Sequence, residues 1–151
     1  MGLDMLGVAQ FKTPDGLWVD IERSKYWDDI FEDRDYILFS VLANARYMSP
    51  CGEAIAADRG WPDDFDPPYV IGGTYIEYVD HWEITDGTGA RDSWASAQEL
   101  LDWFNSPDHQ DVIVPIRDGH APIKEEIAYF FNKIQSLQDE FGEVRIVFGF
   151  Y

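Results

Sequence analysis

The stretch Asp33-Arg-Asp-Tyr-Ile-Leu-Phe-Ser-Val-Leu-Ala-Asn-Ala-Arg-Tyr47 decides how the rest of the chain is read. Asp35 is a short acceptor side chain suited to capping a helix. Tyr36, Leu38, Phe39, Leu42, Ala43 and Arg46 then recur at three- and four-residue steps. One face of this segment is apolar enough to be buried under a sheet, so it is expected to be the organising core helix. It carries no chemistry of its own, and function has to be read from its flanks.

Upstream, residues 3–11 read as a strand, Thr13-Pro-Asp-Gly16 as a turn and residues 17–21 as a second strand, together a hairpin. Lys25-Tyr-Trp-Asp-Asp-Ile-Phe-Glu-Asp33 is acidic and aromatic at once. Trp27, Ile30 and Phe31 are expected to cover the end of the core. Asp28, Asp29, Glu32 and Asp33 are expected in solvent or at the helix N-terminus, where the macrodipole favours negative charge. Downstream, residues 48–68 contain Pro50, Gly52, Gly60, Pro62, Pro67 and Pro68 and should form a long loop. A loop of that length in a compact domain is uncommon unless it has a task. Within it, Arg59 is expected to fold back onto Asp63, Asp64 and Asp66. Such closely spaced carboxylates could hold a hard cation, but the glycine and terminal glutamate of a calcium loop are missing, so no metal is assigned.

Residues 69–84 form the best strand pattern. Ile76, Tyr78, Asp80, Trp82 and Ile84 fall on one face, and Tyr75, Glu77, Val79, His81 and Glu83 on a more polar one. Residues 91–94 are a short extended run. Ser96-Ala-Gln-Glu99 matches a capping box for a helix through Leu100, Leu101, Trp103 and Phe104, stopped at Asn105-Ser-Pro107. Residues 112–116 contain Pro115 and are an edge strand at best. Pro122 suits a helix start, and Ile123, Ile127, Phe130, Phe131, Ile134 and Leu137 define a long amphipathic helix ending near Gly142. Residues 143–151 close the chain as a strand apolar on both faces, hence central. Strands at both ends and in the middle, without regular strand-helix alternation, give an α+β fold: a mostly antiparallel sheet with about three helices packed on it, in a single domain over 1–151.

The 29 Asp and Glu against 11 Lys and Arg give a formal net charge of -18, which repels nucleic acid and anionic membrane and attracts basic surfaces. Cys51 is the only cysteine, so neither an internal disulfide nor a cysteine-based zinc site is available. No run approaches membrane-spanning length and the first residues lack a basic n-region, so a cytoplasmic setting is expected. His81 with Glu83 on one strand face could ligate a metal or act as an acid-base pair, but such pairs are common by chance. His109 and His120 flank a loop-rich segment. No hydrolase, zinc-protease or phosphate-loop pattern is present, and Cys51 has no basic neighbour to activate it. Neither an enzymatic activity nor a cofactor is expected.

Carboxylates spread over a folded surface can imitate a phosphate array and occupy the basic groove of a protein that handles DNA or RNA, with exposed aromatic residues as anchors. The residues that fit this role are Trp27, Asp28, Asp29, Glu32 and Asp33 before the core helix, and Asp58, Trp61, Asp63, Asp64 and Asp66 after it. Met1-Gly-Leu-Asp-Met5, Arg34-Asp-Tyr-Ile-Leu-Phe39, Arg59-Gly-Trp-Pro62, Ser93-Trp94 followed by Glu99-Leu100, and Val144-Arg-Ile-Val-Phe-Gly-Phe150 run in order along the chain. In these motifs it resembles a family of small uncharacterised proteins of phages and prophages, in which no reaction is assigned. Members often carry a histidine shortly before the Ser-Trp pair, where this chain has Arg91-Asp92, so chemistry at that position is not expected. The resemblance implies a phage setting and action in the host cytoplasm. The expected function is an acidic inhibitor of a basic host defence or nucleic-acid-handling protein, with a CRISPR effector as one candidate partner, and with no direct contact to nucleic acid or membrane. The alternative is a small-molecule or nucleotide-signal binder, or a metal-dependent hydrolase, using the 75–83 face and the 58–66 loop.

Overall fold

The structure, a computed structural model, describes residues 2–65 and 92–150. The strand expected over 69–84, its 75–83 face with His81 and Glu83, and Asp66 lie outside the described residues.

The two ends of the chain meet in the sheet. β1 (Met5–Lys12) turns through Thr13 and Gly16 into β2 (Trp18–Asp20), and the pair is antiparallel with Gln10 opposite Asp20 and Lys12 opposite Trp18. Gly16 closes the turn at φ 85, in the left-handed region that glycine tolerates best. β6 (Val144–Phe150) lies between β1 and β3 (Asp92–Ser96), antiparallel to both, so the strand order is β2-β1-β6-β3. All seven residues of β6 are buried, as the apolar pattern on both of its faces requires.

Helices pack on one face of this sheet. α1 (Trp27–Ile30) is a single turn, α2 (Tyr36–Ala43) is the core helix, α3 (Ala97–Asn105) follows β3, and α4 (Ile123–Phe141) leads into β6. Asp35 caps α2 as its sequence suggests, its Oδ1 accepting from the Leu38 amide at 3.0 Å. α2 stops earlier than the sequence pattern implies. Asn44 takes a left-handed conformation at φ 55 and accepts the Ser49 amide, which leaves Arg46 exposed beyond the helix end. Five consecutive residues, Leu38 to Leu42, are buried, so α2 is enclosed nearly all round rather than along one stripe.

α4 buries Ile123, Ile127, Phe130, Phe131, Ile134 and Leu137 along one stripe, each such side chain being worth about 1.5–3 kcal/mol of burial. Between α3 and α4 the sequence reading has a single edge strand; the structure has a separate hairpin of β4 (Ile113–Ile116) and β5 (Gly119–Pro122). Arg117 and Asp118 form its two-residue turn and Gly119 leaves it at φ 143. Pro115 is tolerated because a two-stranded hairpin offers it an outer edge. The fold is α+β with an antiparallel sheet.

Candidate functional site

The two faces of the sheet differ chemically. Strand alternation sends Met5, Ala9, Val144, Ile146, Phe148 and Phe150 into the main core beneath the helices. On the opposite face the register aligns one polar row across the four strands: Asp20, Gln10, Arg145 and Ser96. Beside it lies an apolar row of Val8, Val147 and Trp94, onto which Phe65 and Trp61 fold.

Arg145 is the centre of the polar row and is only 3% exposed. Its Nε donates to Gln10 Oε1 at 2.9 Å, and Gln10 in turn donates from Nε2 to Asp20 Oδ1 at 2.8 Å. Its Nη1 donates to Asp64 Oδ1 at 2.6 Å, and the guanidinium carbon sits 4.2 Å from the Trp18 ring centre. Its Nη2 is buried and makes no hydrogen bond among the described residues. A buried cation is tolerated only if its charge is balanced, which Asp64 does. The hydrogen bond from Arg145 holds the Asp64 carboxyl below the usual carboxylate range, while burial acts the other way. A groove of about 720 Å³ opens over this row, lined by Arg145, Trp18, Trp94, Ser96, Gln98 and Gln138 among others.

The loop that carries Asp64 is fixed by Arg59, though not as its sequence suggests. Arg59 does not fold back onto Asp63 or Asp64. It makes a two-pronged contact with Glu99, Nη1 to Oε1 at 2.6 Å and Nη2 to Oε2 at 2.9 Å, and donates to the carbonyls of Trp94 and Ile55. Two parallel charge-assisted bonds outweigh the single-pronged contacts that a turn of aspartates would offer. Asp58 at φ 55 and Gly60 at φ 72 redirect the backbone so that Arg59 reaches the start of α3. The Gly60 amide then donates to the Asp92 carbonyl and Ser93 Oγ to the Ala56 carbonyl, which binds the loop to β3. Ser96 Oγ caps α3 by accepting the Glu99 amide at 3.0 Å, and the Glu99 carboxylate is committed to Arg59.

The residues singled out from sequence do not form one surface. Trp27, Asp28, Asp29, Glu32 and Asp33 lie on the helix side, where the Phe31 ring sits against Gly7. The four carboxylates are exposed, and Asp29 pairs with Lys133 of α4 at 3.1 Å. Asp28, Glu32 and Asp33 make no ion pair among the described residues. Trp27 is half-buried, packed on Phe31 at 5.2 Å and covered by the Arg23 guanidinium at 3.8 Å. Trp61 and Asp64 belong to the opposite face, with Asp63 beside them in the chain, while Asp58 lines a cavity with Leu3, Ala43 and Phe150. Asp58 and Asp63 are exposed, Trp61 packs edge-on against Phe65 at 5.4 Å, and Asp64 is held by Arg145.

Cys51 is buried, and burial pushes its thiol up, away from reactivity. His109 stacks on Trp103 and His120 is exposed. Among the described residues no group of three or more His, Cys, Asp or Glu is arranged to hold a metal ion, and no helix is long and apolar enough to cross a membrane. The Arg145 row is absent from the sequence-derived set. Its one local signal is an arginine in the middle of Val144-Arg-Ile-Val-Phe-Gly-Phe150, a strand otherwise free of charge.

No family model matches the chain, and no curated protein or solved structure matches it either.

Proposed function

We propose that this chain is a non-enzymatic binding protein that docks its acidic helix-side surface on the basic, nucleic-acid-binding surface of a partner and blocks it. The phage-family resemblance points to a host defence protein as the partner class, with a CRISPR effector as one candidate. The observation that carries the reading is the exposure of Asp28, Glu32 and Asp33 without ion-pair partners among the described residues, on a chain of net charge -18. Unpaired carboxylates on a folded surface keep their charge available to a partner, whereas paired ones are already spent in part. Tyr129 extends this surface: it is partly exposed and its hydroxyl donates to Asp35 Oδ2 at 2.8 Å. Burial and the nearby Asp35 push the Tyr129 phenol well above its ordinary value, so it stays a neutral donor across physiological pH.

The test compares the wild-type chain with the combined variant Asp28→Asn, Asp29→Asn, Glu32→Gln and Asp33→Asn in affinity capture from a bacterial host lysate. Nucleic-acid-binding proteins should be retained by the wild type, released by added duplex DNA or by moderate salt, and lost with the variant. Retained proteins without a basic nucleic-acid-binding surface, or retention indifferent to salt and to DNA, would sink the proposal.

A further inference from the structure

We propose that the groove at Arg145 is a binding site for an uncharged, planar heterocycle bearing a carbonyl group, of which the nucleobase of a nucleoside is the chemical class that fits best. Three features of the groove combine to select that class.

The first is the unmet donor. Arg145 lines the groove and is almost completely buried, and among the described residues its Nη2 has no acceptor while Nε and Nη1 are satisfied by Gln10 and Asp64. A buried donor without an acceptor is costly to the fold and rare, and a site that tolerates one gains when a ligand supplies the acceptor. Guanidinium groups read carbonyl and ring-nitrogen edges of bases in this way.

The second is charge. Asp64 already balances the guanidinium, and Glu143 also lines the groove, with Lys12 at 3.8 Å as its cation. A phosphate or carboxylate entering here would bring uncompensated negative charge to a chain already at -18. A carbonyl oxygen meets the donor without that penalty.

The third is shape and edge chemistry. Trp18 and Trp94 come from the two outer strands and both line the groove; the Arg145 guanidinium covers part of the Trp18 ring at 4.2 Å and Arg59 approaches the Trp94 ring at 5.7 Å, so a base would stack on the indole surface that remains. At the end of the groove, Gln138 Nε2 donates to Gln98 Oε1 and Gln98 Nε2 to Asp102, which leaves Gln138 Oε1 as an acceptor. Ser96 Oγ accepts from Glu99, which leaves its hydroxyl hydrogen as a donor. One donor and one acceptor beside a guanidinium match the mixed edge of a base. The volume, about 720 Å³, lies in the range of small-molecule sites.

The experiment titrates the full chain with adenosine, guanosine, cytidine and uridine, and with the corresponding triphosphates. It follows indole fluorescence and the NMR signals of the Trp, Gln and Arg side-chain N–H groups. At least one nucleoside should bind saturably, with perturbations concentrated on Trp18, Trp94, Gln98, Gln138 and Arg145, and more tightly than its triphosphate. Trp18→Leu and Arg145→Lys, each checked for folding by circular dichroism, should weaken it about fivefold or more, the least that the loss of one stacking surface costs. If Arg145→Lys does not fold, Gln138→Ala on the surface of α4 replaces it. No saturable response to any of the four nucleosides would overturn the proposal. So would perturbations confined to other residues, affinity rising with phosphate count, or unchanged affinity in both folded variants.

Discussion

A guanidinium in the middle of a central strand needs its charge balanced, and here one exposed carboxylate does it. The Asp64 side chain is 62% exposed while that of Arg145 is 3% exposed, so the pair is half in water and its contribution is smaller than that of a fully buried pair. Asp64→Asn keeps the shape and removes the charge, and urea denaturation at neutral pH should show a loss of about 1–2 kcal/mol. The pH dependence carries a definite sign. The folded state holds the Asp64 carboxyl below its ordinary value, so the stabilisation is complete above the ordinary carboxylate range and is lost as pH falls through the lowered value. Wild-type and Asp64→Asn stability curves should therefore converge in acid, and curves that stay parallel down to strongly acidic pH would refute the pairing. Gly7 is constrained in a different way. A Cβ there would press on the Val147 carbonyl oxygen and lie 2.9 Å from the Phe31 ring, so α1 can approach the sheet only because this residue has no side chain. Gly7→Ala should cost about 1–3 kcal/mol of overpacking, measured as a lower urea midpoint with unchanged slope.

Among the elements, α2 depends on one carboxylate with two tasks. Asp35 Oδ1 caps the helix and Oδ2 receives the Tyr129 hydroxyl from α4, so the same side chain sets the start of one helix and joins it to another. Asp35→Ala should cost about 1 kcal/mol for the cap, and more through the lost contact to α4. Tyr129→Phe removes only the second contact. A double-mutant cycle between the two should show a coupling energy, and strict additivity would mean that the interhelical bond contributes nothing. The cap at Asp35, the Ser96 half of the capping box, the Thr13–Gly16 turn, the apolar stripe of α4 and the central position of β6 were all legible in the sequence, whereas the Glu99 half of the box was not, its carboxylate being taken by Arg59. Each is written in residues within a few positions of one another. The contacts of Arg59 with Glu99, 40 positions away, and of Asp64 with Arg145, 81 positions away, were not, because pairing among many candidate carboxylates is settled by backbone direction. The backbone turns at Asp58 and Gly60 that send Arg59 to α3 leave no periodic trace. The β4–β5 hairpin was missed for another reason: the Asp118-Gly119 turn signal was present, but both flanking runs are short and one contains proline.

At the scale of the whole molecule the deciding quantity is charge that cannot be paired. Even if every one of the 11 basic residues met its own carboxylate, 18 of the 29 acids would remain, so mutual repulsion is a property of the folded chain and not of one patch. Ion pairs such as Lys25–Glu140 and Lys133–Asp29 act in the opposite direction, but they are largely exposed, and pairs of that kind contribute little. Repulsion should therefore win as salt is varied. Raising sodium chloride from about 0.01 M to about 0.1 M shortens the screening length from about 30 Å to about 10 Å, roughly from the span of the domain to the distance between neighbouring surface groups. The melting temperature at neutral pH should rise over that interval. The variant with Asp28, Asp29, Glu32 and Asp33 neutralised should melt higher than wild type at low salt and respond less to added salt, because part of the repulsion has been removed. A melting temperature that falls with salt would show that the ion pairs outweigh the repulsion. The same variant is the one expected to lose its partner. Higher intrinsic stability together with weaker capture would then separate a surface kept acidic for binding from one whose carboxylates support the fold.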